Sequence, residues 1–424
     1  MPSSEIEFQA VPSIGDISAE AWDACANPRV NGSAVPSENS SCISRERYNP
    51  FVAHAFYQAL EASRSACART GWAAQHLIAK RAGEIVGVVP CYAKSHSRGE
   101  YVFDHGWADA YERAGGRYYP KLQVSVPFTP ATGPRLLVRE DIPDAPAVRE
   151  LLAKGLMALC RTVEASSVHV TFARKDEWEL LASNGFLQRT DKQFHWENEG
   201  YATFDDFLGA MNSRHRKQIK RERREAVANG ITIEQLTGKD LTEAAFDAFF
   251  QFYMETGSRK WGRPYLTRTF YSLIGERMPQ DVLLVMAKRN GRYIAGAINF
   301  IGSDTLYGRH WGAVEHHPFL HFEVCYYQAI DFAISHKLKR VEAGAQGEHK
   351  LARGYLPQTT YSAHYIANEG FRRAVADYLK RERQYVAAAG EELTGLSPFR
   401  KNLAGEEAEP VSYTHLTLPT IYSV

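Results

Sequence analysis

The sequence predicts a mixed α/β protein made of two tandem copies of one domain, with antiparallel strands at the centre of each copy. Three observations predict this class. A strand–turn–strand pattern occurs twice, a helical pattern before it also occurs twice, and a third match follows in the same order. Each match is weak alone, but repetition in one order indicates an internal duplication. We expect the copies to span residues 1–200 and 201–390.

The strand–turn–strand pattern is the strongest of the three. Residues 77–90 (LIAKRAGEIVGVVP) and 285–299 (VMAKRNGRYIAGAIN) both run from an apolar strand through Ala-Lys-Arg into a second apolar strand. Gly83 and Gly291 fit the turn of a hairpin, where positive φ is needed. The other two matches pair residues 17–25 with 241–249 and residues 103–107 with 308–312.

Periodicity places the elements of the second copy. Strands are expected near 231–235, 282–288, 293–301, 305–312, 339–343 and 360–366. Helices are expected near 213–228, 242–256, 321–336 and 369–388. In the first copy, residues 27–50 form a surface loop by their polar composition, and 176–188 form a helix followed by a strand.

Composition describes an ordinary globular chain. Of its 424 residues, 44% are hydrophobic, and 50 Lys and Arg balance 49 Asp and Glu, so anion binding must come from local clusters. The six cysteines form no C-x-x-C pair, which argues against a zinc site or a disulfide scaffold and fits a reducing cytoplasm. The first residues lack a basic segment followed by an apolar one, so we expect no signal peptide and a cytoplasmic location.

The end of the chain differs from its body. Residues 391–410 form a polar tail. Residues 411–424 (VSYTHLTLPTIYSV) resemble the translation of a transposon sequencing adapter, so we expect them to be an artefact and leave them out of the fold prediction.

The segment from Glu342 to Tyr355, which we call the late loop, carries the richest set of functional side chains. Its glycines indicate special backbone geometry after a strand, where mixed sheets bind ligands. Glu342 and His349 are the candidate catalytic bases, and Glu348 is a further possible general base. Lys350 and Arg353, three residues apart, suit a phosphate. The predicted substrate-binding residues here are Gln346, Glu348, Lys350, Arg353 and Tyr355. The alternative is a surface loop with solvated charges.

A second motif, at residues 305–323, contains His310 and Trp311 on a strand. We keep His310 as a catalytic candidate and Trp311 as a substrate-binding one because the first copy has Asp-His-Gly-Trp at the matched position. A strand histidine is more often a satisfied core residue. The histidines around Pro318 lack the His-Glu-x-x-His spacing, so no metal site is predicted.

The helix expected at 213–228 is strongly basic. Such a helix attracts polyanions such as nucleic acid, a phosphorylated substrate or an acidic membrane surface. A solvated helix linking the two copies explains the run equally well. The predicted polyanion-binding residues are Arg214, Arg216, Lys217, Lys220, Arg221 and Arg224.

The chain resembles the FemAB-like branch of the GNAT acyltransferase superfamily. The resemblance rests on two copies of this strand order joined by the basic helix 212–224, and on the late loop. It is closer still to bacterial proteins identified as N-acyltransferases of peptidoglycan biosynthesis or recognition. The segments that carry this are HSRGEYVFDHGWADAYERAGGRYYPKL (96–122), VPFTPATGPRLL (126–137), RKWGRPYLTRTF (259–270), DTLYGRHWGA (304–313), LHFEVCYYQAI (320–330) and VEAGAQGEHKLARGYLP (341–357).

The resemblance implies tandem duplicated GNAT-like domains and transfer of an acyl or aminoacyl group to an amine, in an acceptor such as a muropeptide precursor at the inner membrane face. The donor is charged tRNA or acyl-CoA, used as a co-substrate, with no tightly bound cofactor. The Gln/Arg-x-x-Gly-x-Gly/Ala motif of CoA-dependent relatives is absent after the strand ending near residue 313. The phosphate-associated lysine of the family maps onto Lys350.

These features lead to a mechanistic hypothesis. Glu342 or His349 deprotonates the amine, backbone N–H groups on a splayed strand near 297–301 stabilise the oxyanion, and Lys350 with Arg353 holds an acceptor phosphate. Two alternatives stay open: an acyl-CoA-dependent N-acetyltransferase, and a non-catalytic module that binds RNA or another polyanion through the basic helix.

Overall fold

The structure, a computed structural model, describes residues 5–28, 48–261, 264–345 and 347–400, and only the backbone of 258–261 and 348. Gln346, most of the predicted polar loop and residues 411–424 therefore lie outside the described residues. Within these ranges the fold is mixed α/β, as the sequence predicts.

Strands and helices are interspersed along the chain. The strands are β1 (Ile6–Val11), β2 (Trp72–Ala74), β3 (His76–Arg81), β4 (Glu84–Val89), β5 (Cys91–Lys94), β6 (Lys121–Val124), β7 (Leu137–Val138), β8 (Ser167–Ala173), β9 (Leu187–Glu197), β10 (Ile231–Leu236), β11 (Val282–Arg289), β12 (Arg292–Ile301), β13 (Thr305–Ala313), β14 (Arg340–Glu342) and β15 (Leu356–Ile366). The helices are α1 (Ala19–Ala26), α2 (His54–Ala62), α3 (His105–Arg113), α4 (Ala145–Thr162), α5 (Lys175–Ser183), α6 (Phe204–Ala210), α7 (Ser213–Ala226), α8 (Glu243–Trp261), α9 (Arg268–Arg277), α10 (Leu320–Phe322), α11 (Gln328–Ser335) and α12 (Glu369–Gly395).

Local sequence accounts for several of these boundaries. The hairpins β3–β4 and β11–β12 turn at Ala82-Gly83 and Asn290-Gly291, and all four residues have positive φ. That pair of conformations matches the twist of the flanking strands. The basic helix α7 begins as predicted, since the Asn212 side chain accepts a hydrogen bond from the backbone N–H of His215.

The duplication is visible in the sheets. Strands of both copies form one sheet in the order β10-β11-β12-β13-β14-β9-β15-β8-β6-β5-β2, and β1-β3-β4-β7 form a second. Each copy has an antiparallel hairpin followed by one parallel pair, β6 with β8 and β13 with β14. Strand β9, from the first half of the chain, lies between β14 and β15. The two halves therefore exchange strands, and residue 200 does not separate two sheets.

One of the three sequence matches is wrong. Residues 103–107 lead into helix α3, whereas residues 308–312 lie within strand β13. The strand that takes the place of β13 in the first copy is β6, because each pairs in parallel with the next strand of its copy. His310 was a catalytic candidate because of this match, so that reason no longer holds.

Other expectations needed smaller corrections. The helix expected at 321–336 contains a π-helical turn, Glu323–Tyr327, between α10 and α11. Helix α12 continues to Gly395, so the first residues of the expected polar tail are helical. Helices α6 and α9 are additional to the predicted ones.

Aromatic packing joins the two halves away from the shared sheet. The ring of Phe51 lies 5.1 Å from that of Phe300 and 5.0 Å from that of Tyr307. Phe56 contacts Phe270 and Phe300 in the same cluster. Of the described helices, none is both long and apolar enough to cross a membrane.

Candidate active site

The parallel strands β13 and β14 part shortly after they begin. Only Thr305 to Tyr307 of β13 pair with β14, although β13 continues to Ala313. On its other edge, β13 has a bulge at Arg309, because Ile298 lies opposite His310 while Asn299 lies opposite Gly308. Bulges often redirect groups beside active sites. Beyond Tyr307, the edge of β13 that faced β14 has no strand partner among the described residues.

The prediction that N–H groups of residues 297–301 stabilise the oxyanion is therefore wrong. Residues 297–301 belong to β12, which pairs with β11 on one edge and β13 on the other, so its N–H groups are used within the sheet. The strand with a free edge is its neighbour β13, from Gly308 onward.

Glu342 ends β14 at the point where the two strands part. The residue is 5% exposed, and its Oε2 atom has no hydrogen-bond partner among the described residues. Burial raises the pKa of Glu342 to about 8, while Arg340, the backbone N–H of Thr132 and Arg309 act in the opposite direction. A buried carboxyl group that titrates near neutrality and has one free oxygen suits proton transfer.

His195 lies directly opposite Glu342 on the neighbouring strand β9. Its Nε2 atom is 4.0 Å from Oε2 of Glu342 and 3.3 Å from Oε1 of Gln193. Burial, together with Arg340 and Lys350, lowers the pKa of His195 to about 3, so this imidazole is neutral. Gln193 in turn donates to the backbone carbonyl of Pro130 at 2.7 Å. The exchanged strand thus supplies one wall of the site.

Two loops of the first copy supply another wall. Arg309 donates a hydrogen bond to the carbonyl of Phe128 at 2.6 Å and interacts with the hydroxyl of Tyr101. Thr132, four residues after Phe128, directs its N–H at Glu342. Sequence reasoning missed Arg309, Thr132, Tyr101 and His195, since all except Arg309 lie in the other copy. Their only signal was that the first three fall within segments quoted for the family resemblance.

The late loop is tied to the end of β14. Lys350 is 4% exposed, and its Nζ donates to the carbonyls of Ala343 at 2.5 Å and Gly344 at 3.2 Å. Burial lowers the pKa of Lys350 to about 8. Arg353 bonds both carboxylate oxygens of Glu222 and lies 3.4 Å from the Phe322 ring centroid. Both cations are engaged by protein groups, and their role at an acceptor phosphate stays a prediction.

The remaining candidates of the late loop lie around the π-helical turn. His349 is exposed, with Nε2 3.1 Å from the Tyr326 hydroxyl. Tyr355 is fully buried and donates to the carbonyl of Tyr326 at 3.1 Å. Glu348 lies in the 3₁₀-helix Glu348–Arg353, and nothing is described of its side chain. Gln346 falls outside the described residues.

The two candidates on β13 face neighbouring aromatic rings. The His310 ring lies 5.0 Å from that of Tyr253, and burial with Arg309 nearby lowers its pKa to about 3. With Arg309, His310 lines a cavity of about 10 Å³, which is near the smallest size that holds one water. Trp311 packs against His321 at 5.1 Å.

The basic helix α7 presents cations on one face. Arg214, Lys217, Arg221 and Arg224 are exposed and follow each other at spacings of three, four and three residues. We call these four residues the basic stripe. Lys220 pairs with Asp205 at 2.9 Å, and Arg216 bonds Ser213 at 3.3 Å, so these two predicted polyanion ligands have protein partners. Of the stripe residues, Arg221 lies 5.8 Å from the Phe319 ring, just before α10, and its Nε is 3.8 Å from Oε1 of Glu225.

Comparison with known proteins adds the family. The model of the FemAB-like family, described as peptidoglycan biosynthesis/recognition, matches residues 13–401. No curated protein matches. The structure of FemX is similar over 80% of this chain and 99% of its own, with 12% identity and a TM-score of 0.50.

Two further solved structures are similar at lower TM-scores. A tandem GNAT protein from the clavulanic acid biosynthesis pathway has 14% identity over 86% of this chain and 99% of its own, with a TM-score of 0.44. The C-terminal domain of a putative lysylphosphatidylglycerol synthetase from Agrobacterium fabrum has 9% identity over 63% of this chain and 82% of its own, with a TM-score of 0.44. At such identities the likeness to FemX shows the fold alone. Because the family model covers most of the chain, this protein belongs to the FemAB-like family and is an acyltransferase with a duplicated GNAT-like fold.

Proposed function

We propose that the protein transfers an acyl or aminoacyl group to an amine of a phosphorylated acceptor, with a peptidoglycan precursor as the first candidate and Glu342 as the general base. The observation that carries the proposal is the position of Glu342. A buried carboxyl group, one of whose oxygens has no hydrogen-bond partner in the described part of the chain, ends β14 where β13 leaves it. The family match supports the acyl chemistry and the peptidoglycan context.

The proposed chemistry needs one proton acceptor and one set of oxyanion donors. An amine attacks the acyl carbon, a new C–N bond forms, and the bond from that carbon to the leaving oxygen or sulfur breaks. Glu342 accepts the proton that the amine loses. N–H groups of β13 from Gly308 onward stabilise the oxyanion. Gly308 permits close approach, since a Cβ there would lie 3.3 Å from the backbone oxygen of Glu342.

The basic stripe favours charged tRNA as the acyl donor. Its cations are exposed and extend along ten residues of helix, which is about 15 Å. An extended row of cations suits successive phosphates of a nucleic acid, and aromatic rings such as Phe319 beside it suit stacked bases. Because charged tRNA is a cytoplasmic molecule, the proposal implies a cytoplasmic enzyme. An acyl-CoA donor is the alternative.

The test offers the purified protein each donor with the same acceptor. Charged tRNA or acyl-CoA is incubated with a phosphorylated muropeptide, and the product is weighed by mass spectrometry. We expect an acylated muropeptide with charged tRNA and none with acyl-CoA. If CoA binds in a calorimetric titration and product forms from acyl-CoA alone, the donor is acyl-CoA and not charged tRNA. Absence of product with either donor would refute the proposed acceptor.

A matched pair of variants separates the stripe from the chemistry. Replacing Arg214, Lys217, Arg221 and Arg224 together by Gln should weaken binding of uncharged tRNA while keeping the reaction of a short donor that bears only the acylated terminal nucleotide. The control replaces Lys192, Lys239, Arg292 and Lys337, four cations outside helix α7, and should leave tRNA binding unchanged.

A further inference from the structure

A buried ion cluster in the first copy is not used by the chemistry described above. Lys121, at the start of β6, is fully buried and donates hydrogen bonds to Ser97 at 2.8 Å, to Glu100 at 2.7 Å and to Asp104. An ammonium group has three donors, and Lys121 uses all of them on one segment, residues 97–104. We call this segment the clamped loop.

A second buried lysine acts on the same loop. Nζ of Lys94 donates to the carbonyl of Arg98 at 3.2 Å and lies 3.7 Å from Oε1 of Glu100. It also lies 3.5 Å from the Trp72 ring centroid. Burying two ammonium groups carries a large desolvation cost that their ion pairs must offset, so a well-packed apolar contact would stabilise the fold at least as well. Stability alone therefore does not explain why the cluster is present.

The clamped loop holds Tyr101 in an unusual conformation. Its φ is +61°, a strained conformation for a residue with a side chain, which persists where the surroundings fix the backbone. In that conformation, the Tyr101 hydroxyl interacts with the guanidinium of Arg309 in the second copy. The loop next to Tyr101 also reaches Phe128, whose N–H donates to the carbonyl of Gly99 at 3.1 Å.

The two oxygens that hold Arg309 therefore belong to one clamped system. One is the Tyr101 hydroxyl and the other is the Phe128 carbonyl. Contact between Gly99 and Phe128 is close, since a Cβ at Gly99 would lie 2.7 Å from the Phe128 ring. Arg309 in turn is one of the cations that act on Glu342.

We propose that the Lys121 cluster is a positioning device for the reaction centre of the other copy: it fixes the clamped loop, whose Tyr101 and Phe128 oxygens aim Arg309 at Glu342. Lys121, Glu100 and Tyr101 are thus positioning residues that touch no substrate. The proposal rests on the proposed function only for the role of Glu342 as base.

The first copy itself does not offer a second open centre at the same sheet positions. His169 and His364 lie opposite each other on β8 and β15, as Glu342 and His195 do on β14 and β9. Their Nδ1 atoms are 2.7 Å apart, and the two residues are 2% and 1% exposed. Lys121 and its three partners are at most 4% exposed, and its hydrogen bonds all stay within the first copy.

The test measures the titration of Glu342 directly. In protein labelled with ¹³C at the glutamate side-chain carboxyl, the Glu342 signal is identified by its loss in Glu342→Gln, and its shift is followed with pH. Several charged or titratable groups face this carboxyl and are kept unchanged in the variants tested. They are Arg340, Arg309, Tyr307, His195, Glu197 and Arg135.

Two variants loosen the device with little change in shape. Tyr101→Phe removes the hydroxyl that holds Arg309, and Glu100→Gln weakens the grip of Lys121 on the clamped loop. Because Arg309 lowers the pKa of Glu342, its release should raise that pKa by about half a unit or more in both variants. Tyr111→Phe, on helix α3 of the same copy, is the matched control and should leave the titration unchanged.

The outcomes separate this proposal from the proposed function. An unchanged or lowered pKa of Glu342 in folded Tyr101→Phe overturns the positioning device, whatever the enzyme activity. If Glu342→Gln keeps full activity while Tyr101→Phe still shifts the titration, the positioning holds and the role of Glu342 as base fails. Where activity is measurable, Tyr101→Phe should lower kcat more than it raises KM, and the pH profile should move with the carboxyl titration.

Discussion

Arg353 and Glu222 form a buried ion pair that joins the late loop to the basic helix: Nη2 of Arg353 lies 2.8 and 2.9 Å from the two carboxylate oxygens. Their side chains are 4% and 2% exposed. Glu222 also accepts hydrogen bonds from Tyr327 and from Gln218. The only acidic residue in the densest part of the basic run is therefore turned inward, and it fixes the loop that follows Glu342.

Breaking this pair should destabilise the protein strongly. Arg353→Met leaves the Glu222 carboxylate buried without its cation, which costs about 3–5 kcal/mol, whereas Arg353→Met with Glu222→Leu should cost less than the single change. Urea unfolding of both single variants and the double variant measures the coupling. The expectation is wrong if Arg353→Met alone costs under about 1 kcal/mol. Arg216→Met, which removes a half-exposed cation bonded to Ser213, is the control.

Removing the proton acceptor should stop turnover. Glu342→Gln keeps the size of the side chain and removes its basicity, so kcat should fall about 100-fold or more with a small change in KM. In the unmodified enzyme, activity should rise with pH through about 8, the pKa of Glu342, because the carboxylate form is the base. Steady-state rates between pH 6 and 9.5 test both statements. A rate profile flat across that range would exclude Glu342 as the base.

The same carboxyl group should make stability depend on pH. Its pKa is raised from 4.5 to about 8 on folding, so the folded state binds a proton that the unfolded state has lost between these values. Its contribution to stability is full below pH 4.5, falls as pH rises through 8, and is then lost, an effect on the order of 3–5 kcal/mol. In thermal unfolding, the unfolding temperature of Glu342→Gln relative to that of the parent protein should be higher at pH 9 than at pH 5. Equal differences at both values would contradict it.

Lys350 should act on the late loop rather than on substrate affinity. Its ammonium group holds the carbonyls of Ala343 and Gly344, directly after Glu342. Lys350→Met should therefore lower kcat and the unfolding temperature, with less change in acceptor KM. A rise in acceptor KM at unchanged kcat would instead support the phosphate contact expected from the family resemblance. Lys339→Met, a nearby lysine outside the loop, is the control.

The basic stripe should make donor binding depend on salt. Each tRNA phosphate that the protein no longer neutralises reduces the slope of log affinity against log salt by roughly 0.7–0.9. Neutralising the four stripe residues should therefore remove about 3 from the magnitude of the slope for tRNA. Filter binding at several salt concentrations measures it. A slope that stays the same would remove the stripe from the donor site.

Local sequence predicted well what local chemistry decides. Asn212 begins helix α7, Gly83 and Gly291 turn their hairpins, and the strands of the second copy lie where alternation and apolar runs place them. Matching by composition alone failed at residues 103–107, where a His-Gly-Trp run forms a helix rather than a strand. The conformation of such a short motif is decided by packing against the rest of the protein. The π-helical turn at Glu323–Tyr327 likewise has no signal in the local sequence.

The sequence by itself determined the duplicated α/β class, the basic helix and the placement of Glu342 at the end of a strand. Only the tertiary structure decided what surrounds that carboxyl group. Strand β9 inserts beside β14 and brings His195, and the loops of the first copy bring Thr132 and the oxygens that hold Arg309. These groups are separated from Glu342 by well over a hundred residues. Their proximity follows from strand exchange between the copies, a long-range pairing that no local pattern of residues encodes.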